Sequence, residues 1–334
     1  MPVPKLLTFK GTKMPEWNLT AAQMDKEQAA FRADSAAEML SLKAAAKGAK
    51  KAGKKAAAKK AAKKKPVSAA DAKAMAASPL VLTSHKELVI DKVKIADLIK
   101  LVLSRKRKDQ KTFTATEWNT YIDAIEAIAS PGAAAPTYKD FVNVHVKAMT
   151  NAGHAWGVHT MMGMSGRNFL AWHREYLARL EARLMLVNPL VTIPYWNWVV
   201  NRTVPSQLSN ASDLASWGIV RGNFNAGMLP TQADINSVMN KNTFDTFQSA
   251  LEGGPHNWVH NAVGGTMATS GSPADPLFWL HHANVDRIWA DWQKTHTSAA
   301  QKPSNLTEQM QPPPIITRKV SEVLSTNALG YVYV

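Results

Sequence analysis

The sequence predicts a mainly α-helical fold, an antiparallel bundle of four helices set among loops with few short strands. Three observations carry this. Apolar residues recur at helical spacing in several stretches between residues 115 and 290. Thr, Gly and Pro signals start and stop those stretches. Histidines sit on four of them, as in bundles where inward side chains build a site.

Residues 1 to 80 read as a lead segment and residues 81 to 334 as one folded domain, a size that buries a substantial core. Met24 to Leu42 has the composition of a helix. The tract from 43 to 65 follows, with eleven lysines and no acid, and it has almost no apolar face to bury. It reads as solvated helix or disordered chain. These eleven charges are most of the net +15 and leave +4 for everything else. Clustered lysines attract polyanions by releasing counterions, so a polyanion contact through residues 43–65 is expected, with a tether lacking any partner as the plain alternative. A nucleic-acid-binding domain is disfavoured, because the charge is confined to this tail.

Composition turns globular at Val81. Thr114, with Glu117 three positions later, offers a cap for an amphipathic helix through Glu126, which Pro131-Gly-Ala-Ala-Ala-Pro136 breaks. A second helix is predicted from Tyr138 to Met149, with Phe141, Val142, His145 and Met149 near one face. A third runs from Arg167 to Val187 and carries His173 near its start. Residues 188 to 242 are loop-rich, with short aromatic elements. Phe244 to Leu251 leads into a Gly253-Gly254-Pro255 turn, and His256 begins the next helix. A small-residue loop from Gly264 to Ala274 precedes the last helix, which holds His281 and His282.

The chain has no cysteine, which excludes disulfides, thiolate metal sites and cysteine nucleophiles and leaves imidazole and carboxylate as ligands. No N-terminal apolar run has the length of a signal peptide, and no later stretch approaches a membrane span. A cytoplasmic location is the expectation, with export by a helper protein left open.

Two motifs concentrate the histidines. In Pro255-His256-Asn257-Trp258-Val259-His260 the two imidazoles share one helical face at i and i+4, a spacing that lets both reach one metal ion. In Asp275-Pro-Leu-Phe-Trp-Leu-His281-His282-Ala-Asn-Val-Asp286-Arg287-Ile-Trp289 a histidine pair interrupts an apolar run, which core packing does not require. Upstream lie His145, His154, His159 and His173. Taken singly, each could be an ordinary imidazole of a core or an exposed helix.

At these residues the chain resembles the type-3 copper proteins, the tyrosinases, catechol oxidases and haemocyanins, which hold two coppers with three histidines each. The likeness spans residues 84 to 334 and rests on Phe169-Leu-Ala-Trp-His173-Arg-Glu-Tyr-Leu177, on the two motifs above, on Ile193-Pro-Tyr-Trp-Asn-Trp198 and on the closing Tyr331-Val-Tyr333. The family commonly has Asp where this chain has Asn197. The resemblance implies a tyrosinase-like helical core, two copper ions as cofactor, dioxygen as co-substrate and small phenols as substrates. Adjacent all-imidazole sites without a bridging carboxylate favour copper over zinc.

For the second copper it implies His256, His260 and His282, with His281 behind the ligands or beside the substrate. For the first it implies His145 and His173. The family's remaining ligand falls on Met164; His159, on a flexible loop, is preferred here, with His154 as the alternative. Some relatives crosslink that histidine to a cysteine, so here packing alone must hold it. Glu252 and Asn257 are implied as the catalytic pair that polarises a water into a base for an incoming monophenol, Glu252 alternatively being a helix-entry carboxylate. Asn261 and the small Thr269 are expected to shape the entrance and leave it open to bulky phenols. Asp286, one turn beyond His282, either orients a ligand or pairs with an arginine. The activity implied is that of a bacterial-type copper phenol oxidase that ortho-hydroxylates monophenols and converts o-diphenols to o-quinones. A catechol or o-aminophenol oxidase without hydroxylation and a haemocyanin-like oxygen carrier are the alternatives.

Overall fold

The structure is a computed structural model that describes residues 105–160 and 165–334, together with the backbone of three short strands. Those strands, β1 (Val81–Thr83), β2 (Glu87–Ile90) and β3 (Val93–Lys94), pair antiparallel in that order. Residues 1–80, including the Lys/Ala tract, and Met164 lie outside the described residues.

Helix α1 (Ala115–Ala129) opens on the predicted cap: Thr114 takes the Glu117 amide while the Glu117 carboxylate takes the Thr114 amide. The same reciprocal device, Thr137 with Asp140, starts α2 (Tyr138–Ala148). A short α3 (Asn151–His154) follows, then α4 (Phe169–Met185), which begins two residues later than expected. The reason is Asn168. Its side-chain amide donates to the Trp156 carbonyl and to Glu308 and forms no cap hydrogen bond.

Small helices α5 (Ala211–Ser216) and α6 (Gln232–Met239) lie in the loop-rich stretch, before α7 (Phe244–Leu251), α8 (Asn257–Val263) and α9 (Leu277–Gln293). Between α7 and α8 the predicted turn is a single wide helical turn, Glu252–His256, kinked at Gly254. Pro255 lacks an amide hydrogen, so this turn departs from the regular ladder and re-aims His256. Helix α9 packs along α4, and α1 packs on both α2 and α4. Trp172, Trp279, Trp289 and Trp292 are fully buried between them. Among the described residues no helix is long and apolar enough to cross a membrane.

The closing Tyr-x-Tyr forms β5 (Tyr331–Tyr333), parallel to β4 (Arg105–Arg107), so the two ends of the described domain meet. Beneath them lies a buried charge network. Arg107 grips both oxygens of Glu181 at 3.1 Å, and Glu181 also takes Arg105 and the Ile193 amide. Burial alone would raise the Glu181 carboxyl, but Arg107 and Arg105 outweigh that and hold it below the ordinary range. Asp286 pairs with Arg174 and accepts the hydroxyls of Tyr331 and Tyr333 at 2.6 and 2.7 Å. Its role is therefore the arginine pairing.

Candidate metal centre

Two groups of imidazoles meet inside the bundle. His145 from α2, His159 from the loop after α3 and His173 from α4 bring ligand nitrogens within 4.8 Å of one another. His256 from the kinked turn, His260 from α8 and both His281 and His282 from α9 do the same. The rings of His173 and His282 stack across the gap, 4.3 Å between centres, so the groups are neighbours. Phe278 packs on His282 and Phe169 on His256, with centres 4.0 and 4.7 Å apart. All seven histidines are buried.

Backbone carbonyls decide which nitrogen four of the rings offer. Nδ1 of His145 faces the Ser270 carbonyl at 2.7 Å, that of His173 the Phe169 carbonyl at 2.8 Å, and that of His256 the Glu252 carbonyl at 3.1 Å. Nδ1 of His260 faces the Met267 carbonyl. A carbonyl only accepts, so each Nδ1 carries the proton and each Nε2 presents a lone pair. This is the support that metal-bound histidines usually have.

The Nε2 atoms converge. Nε2 of His145 and His159 approach to 3.4 Å, and Nε2 of His260 and His282 to 3.3 Å. Two nitrogens each about 2 Å from one ion in a tetrahedral arrangement stand roughly 3.3 Å apart. Nε2 of His173 is buried with no hydrogen-bond partner. Two facing ring nitrogens need a shared proton or a cation between them, and three such nitrogens within 4.8 Å in each group fit a pair of metal ions.

Burial works in the same direction. It pushes the His145, His159 and His260 imidazoles down to about 3, and neighbouring imidazoles add to the effect. His173, His256, His281 and His282 are lowered well below the ordinary value, again chiefly by burial. Neutral rings can give a lone pair to a metal, whereas protonated ones cannot.

The structure places His159, and not His154, in the first group. His154 is buried beside it, and its proximity helps to lower His159. Packing is not the only hold on His159. Its Nδ1 lies 3.5 Å from Oε1 of Glu252, and Glu252 takes the amide and hydroxyl of Thr160, the next residue, at 2.6 and 2.9 Å. Burial raises the Glu252 carboxyl to about 8 against the opposing Thr160 bonds, so the approach to the neutral His159 is not an ion pair. A side chain at Gly166 would put its Cβ 2.5 Å from Oε2 of Glu252, so this close approach requires glycine.

Asn257 is half-buried at the first position of α8, directly after His256. Asn261 and Thr269 are buried. The Thr269 hydroxyl donates to the Thr266 carbonyl and accepts the Gly271 amide, both within its own turn. His281 is fully enclosed, and its Nδ1 accepts Trp198 Nε1–H at 3.1 Å. Sequence reasoning missed Thr160 and the contact from Trp198. Adjacency to His159 was the available signal for the first and the Ile193–Trp198 motif for the second. The carbonyls of Ser270, Phe169 and Met267 carry no signal in side-chain identity.

Comparison with known proteins agrees with this geometry. The family model for the common central domain of tyrosinase matches residues 135–223 and 218–295. The chain is 32% identical over 260 residues to a tyrosinase of Streptomyces glaucescens, covering 62% of this chain and 91% of the relative. It is 24% identical over 262 residues to grixazone synthase of Streptomyces griseus, covering 57% and 84%. Its fold is similar to a functional unit of Octopus hemocyanin, with TM-score 0.54 and 23% identity, covering 68% of this chain and 67% of the other.

Proposed function

Because this chain belongs to the tyrosinase family of type-3 copper proteins, we propose that it hydroxylates monophenols at the ortho carbon in addition to oxidising o-diphenols. The chain is a type-3 copper phenol oxidase by its likeness to the Streptomyces tyrosinases. What carries the reading is the pair of three-histidine sets with converging ring nitrogens, His145, His159 and His173 beside His256, His260 and His282. Two copper ions held there supply reversible electron exchange with dioxygen. In balance, a monophenol and one dioxygen give an o-quinone and one water; two o-diphenols and one dioxygen give two o-quinones and two waters.

The protein's own residues supply order and protons. The carbonyls behind Nδ1 of His145, His173, His256 and His260 hold those rings in register, so little reorganisation is left for the reaction. The aromatic faces of Phe278 and Phe169 exclude water from the rings. Hydroxylation asks for one further group, because a neutral monophenol must lose its proton on docking. Asn257 follows His256 directly and Glu252 lies one turn before it. In this reading the two act on a water as a relayed base, with Glu252 taking part in its ionised form.

The test compares a monophenol with its matching o-diphenol, following oxygen uptake and quinone absorbance in the copper-loaded protein. Asn257→Ala should lower the monophenol rate on the order of a hundredfold, the usual size of a lost base, and the diphenol rate far less. Equal losses would overturn the relay. A protein that oxidises only the diphenol would be a catechol or o-aminophenol oxidase, and one that binds oxygen without forming quinone would be a carrier.

A further inference from the structure

Seven buried histidines stand where two three-ligand sites need six. The additional ring is His281. One of its nitrogens lies within 4.8 Å of the ligand nitrogens of His256, His260 and His282, so distance alone would admit it as a fourth ligand. Four imidazoles close a tetrahedral site, whereas three leave a position for a reactant.

What separates His281 from its neighbours is the group behind it. His256 and His260 give their Nδ1 protons to carbonyls, which leaves Nε2 bare. His281 Nδ1 instead faces Trp198 Nε1–H at 3.1 Å. An indole nitrogen donates and never accepts, so His281 Nδ1 must present its lone pair to Trp198. The proton of the neutral ring then sits on Nε2. Neither nitrogen retains a lone pair to give to a cation.

The tryptophan is itself held in place. Trp198 is fully buried, and the Trp196 amide donates to the Leu280 carbonyl at 3.0 Å, which ties the Ile193–Trp198 segment to α9 immediately before His281. Trp196 sends its own Nε1–H elsewhere, to the Asn201 carbonyl. The segment thus aims one indole at the histidine pair.

Resting on the reading of the second group as a three-histidine copper site, we infer that Trp198 is a positioning residue that fixes the His281 tautomer and so keeps the second copper's coordination open. Removing the indole N–H frees the ring to move its proton to Nδ1 and offer Nε2 to the metal.

The experiment is nitrogen NMR of the copper(I)-loaded protein labelled at histidine, which distinguishes protonated, bare and metal-bound ring nitrogens. In the unmodified protein His281 should show a bare, hydrogen-bonded Nδ1, a protonated Nε2 and no metal-bound nitrogen. In Trp198→Phe, which keeps an aromatic ring but loses the donor, His281 should gain a metal-bound nitrogen and phenol oxidation should fall. The added signal should vanish in Trp198→Phe/His281→Gln. A metal-bound His281 in the unmodified protein, or a folded Trp198→Phe whose His281 stays unligated, would overturn the inference alone. Should Trp198→Phe fail to fold, the unmodified spectrum decides. Absence of metal-bound nitrogens on His256, His260 and His282 would instead overturn the copper-site reading, and the inference with it.

Discussion

Oε1 of Glu252 accepts the Thr160 amide at 2.6 Å, and through that bond the turn carrying His256 grips the loop carrying His159. The two histidine groups are therefore coupled by the backbone as well as by stacked rings. Glu252→Ala should release the loop and weaken copper at the first site by about 10- to 100-fold, the usual cost of losing a partner behind the ligands. Competitive copper titration reads this directly. Unchanged affinity accompanied by a lost monophenol rate would assign Glu252 to proton transfer alone.

His159 stands in the first group, while His154 lies outside it. His159→Ala should thus lose one copper per chain, and His154→Ala should keep both. Metal analysis after dialysis separates the two variants, and the opposite pattern would move the ligand to His154.

Glu181 takes Arg107, Arg105 and the Ile193 amide, all in the interior. Glu181→Ala leaves the fully buried Arg107 guanidinium without its main counter-charge, which should cost about 3–5 kcal/mol in urea unfolding. Tyr333→Phe removes a hydroxyl that donates to Asp286 and accepts from Arg107, and should cost roughly 1.5–3 kcal/mol. Equal small losses would show that the β4–β5 closure contributes little.

The metal-free protein should be acid-labile for a definite reason. Three of its buried histidines, His145, His159 and His260, stay neutral down to about pH 3 in the fold, yet in the unfolded chain they protonate near the ordinary imidazole value. The unfolded state then binds more protons. Stability should therefore fall as pH drops below about 6.5, by roughly 1.4 kcal/mol per unit for each such histidine. Glu252 has the opposite sign, its raised carboxyl costing stability as pH rises from the ordinary carboxylate range to about 8, but it is a single group. Denaturant midpoints of the metal-free protein between pH 5 and 8 test this, and a flat profile would mean that the rings are solvated.

Much of this was legible in the chain because it is written in local patterns. The Thr114 and Thr137 caps, the i and i+4 pair His256 and His260, and the adjacent His281 and His282 lie within one or two helical turns, where spacing fixes geometry. The start of α4 was misjudged because Asn168 serves partners at Trp156 and Glu308. Spacing favoured His159 over His154 without fixing it, since a loop carries it and Glu252, 93 residues later, steadies it. Trp198 and His281 are 83 residues apart, and only the fold sets one against the other.

In the proposed function six of these imidazoles hold two copper ions, three to each. Copper titration of the purified metal-free protein, followed by metal analysis and by quinone formation from an o-diphenol, tests it most directly. Two coppers per chain are predicted, with oxidation appearing only once both are bound and absent from both His173→Ala and His282→Ala. Saturation at a single copper, or full oxidation by either variant, would contradict it.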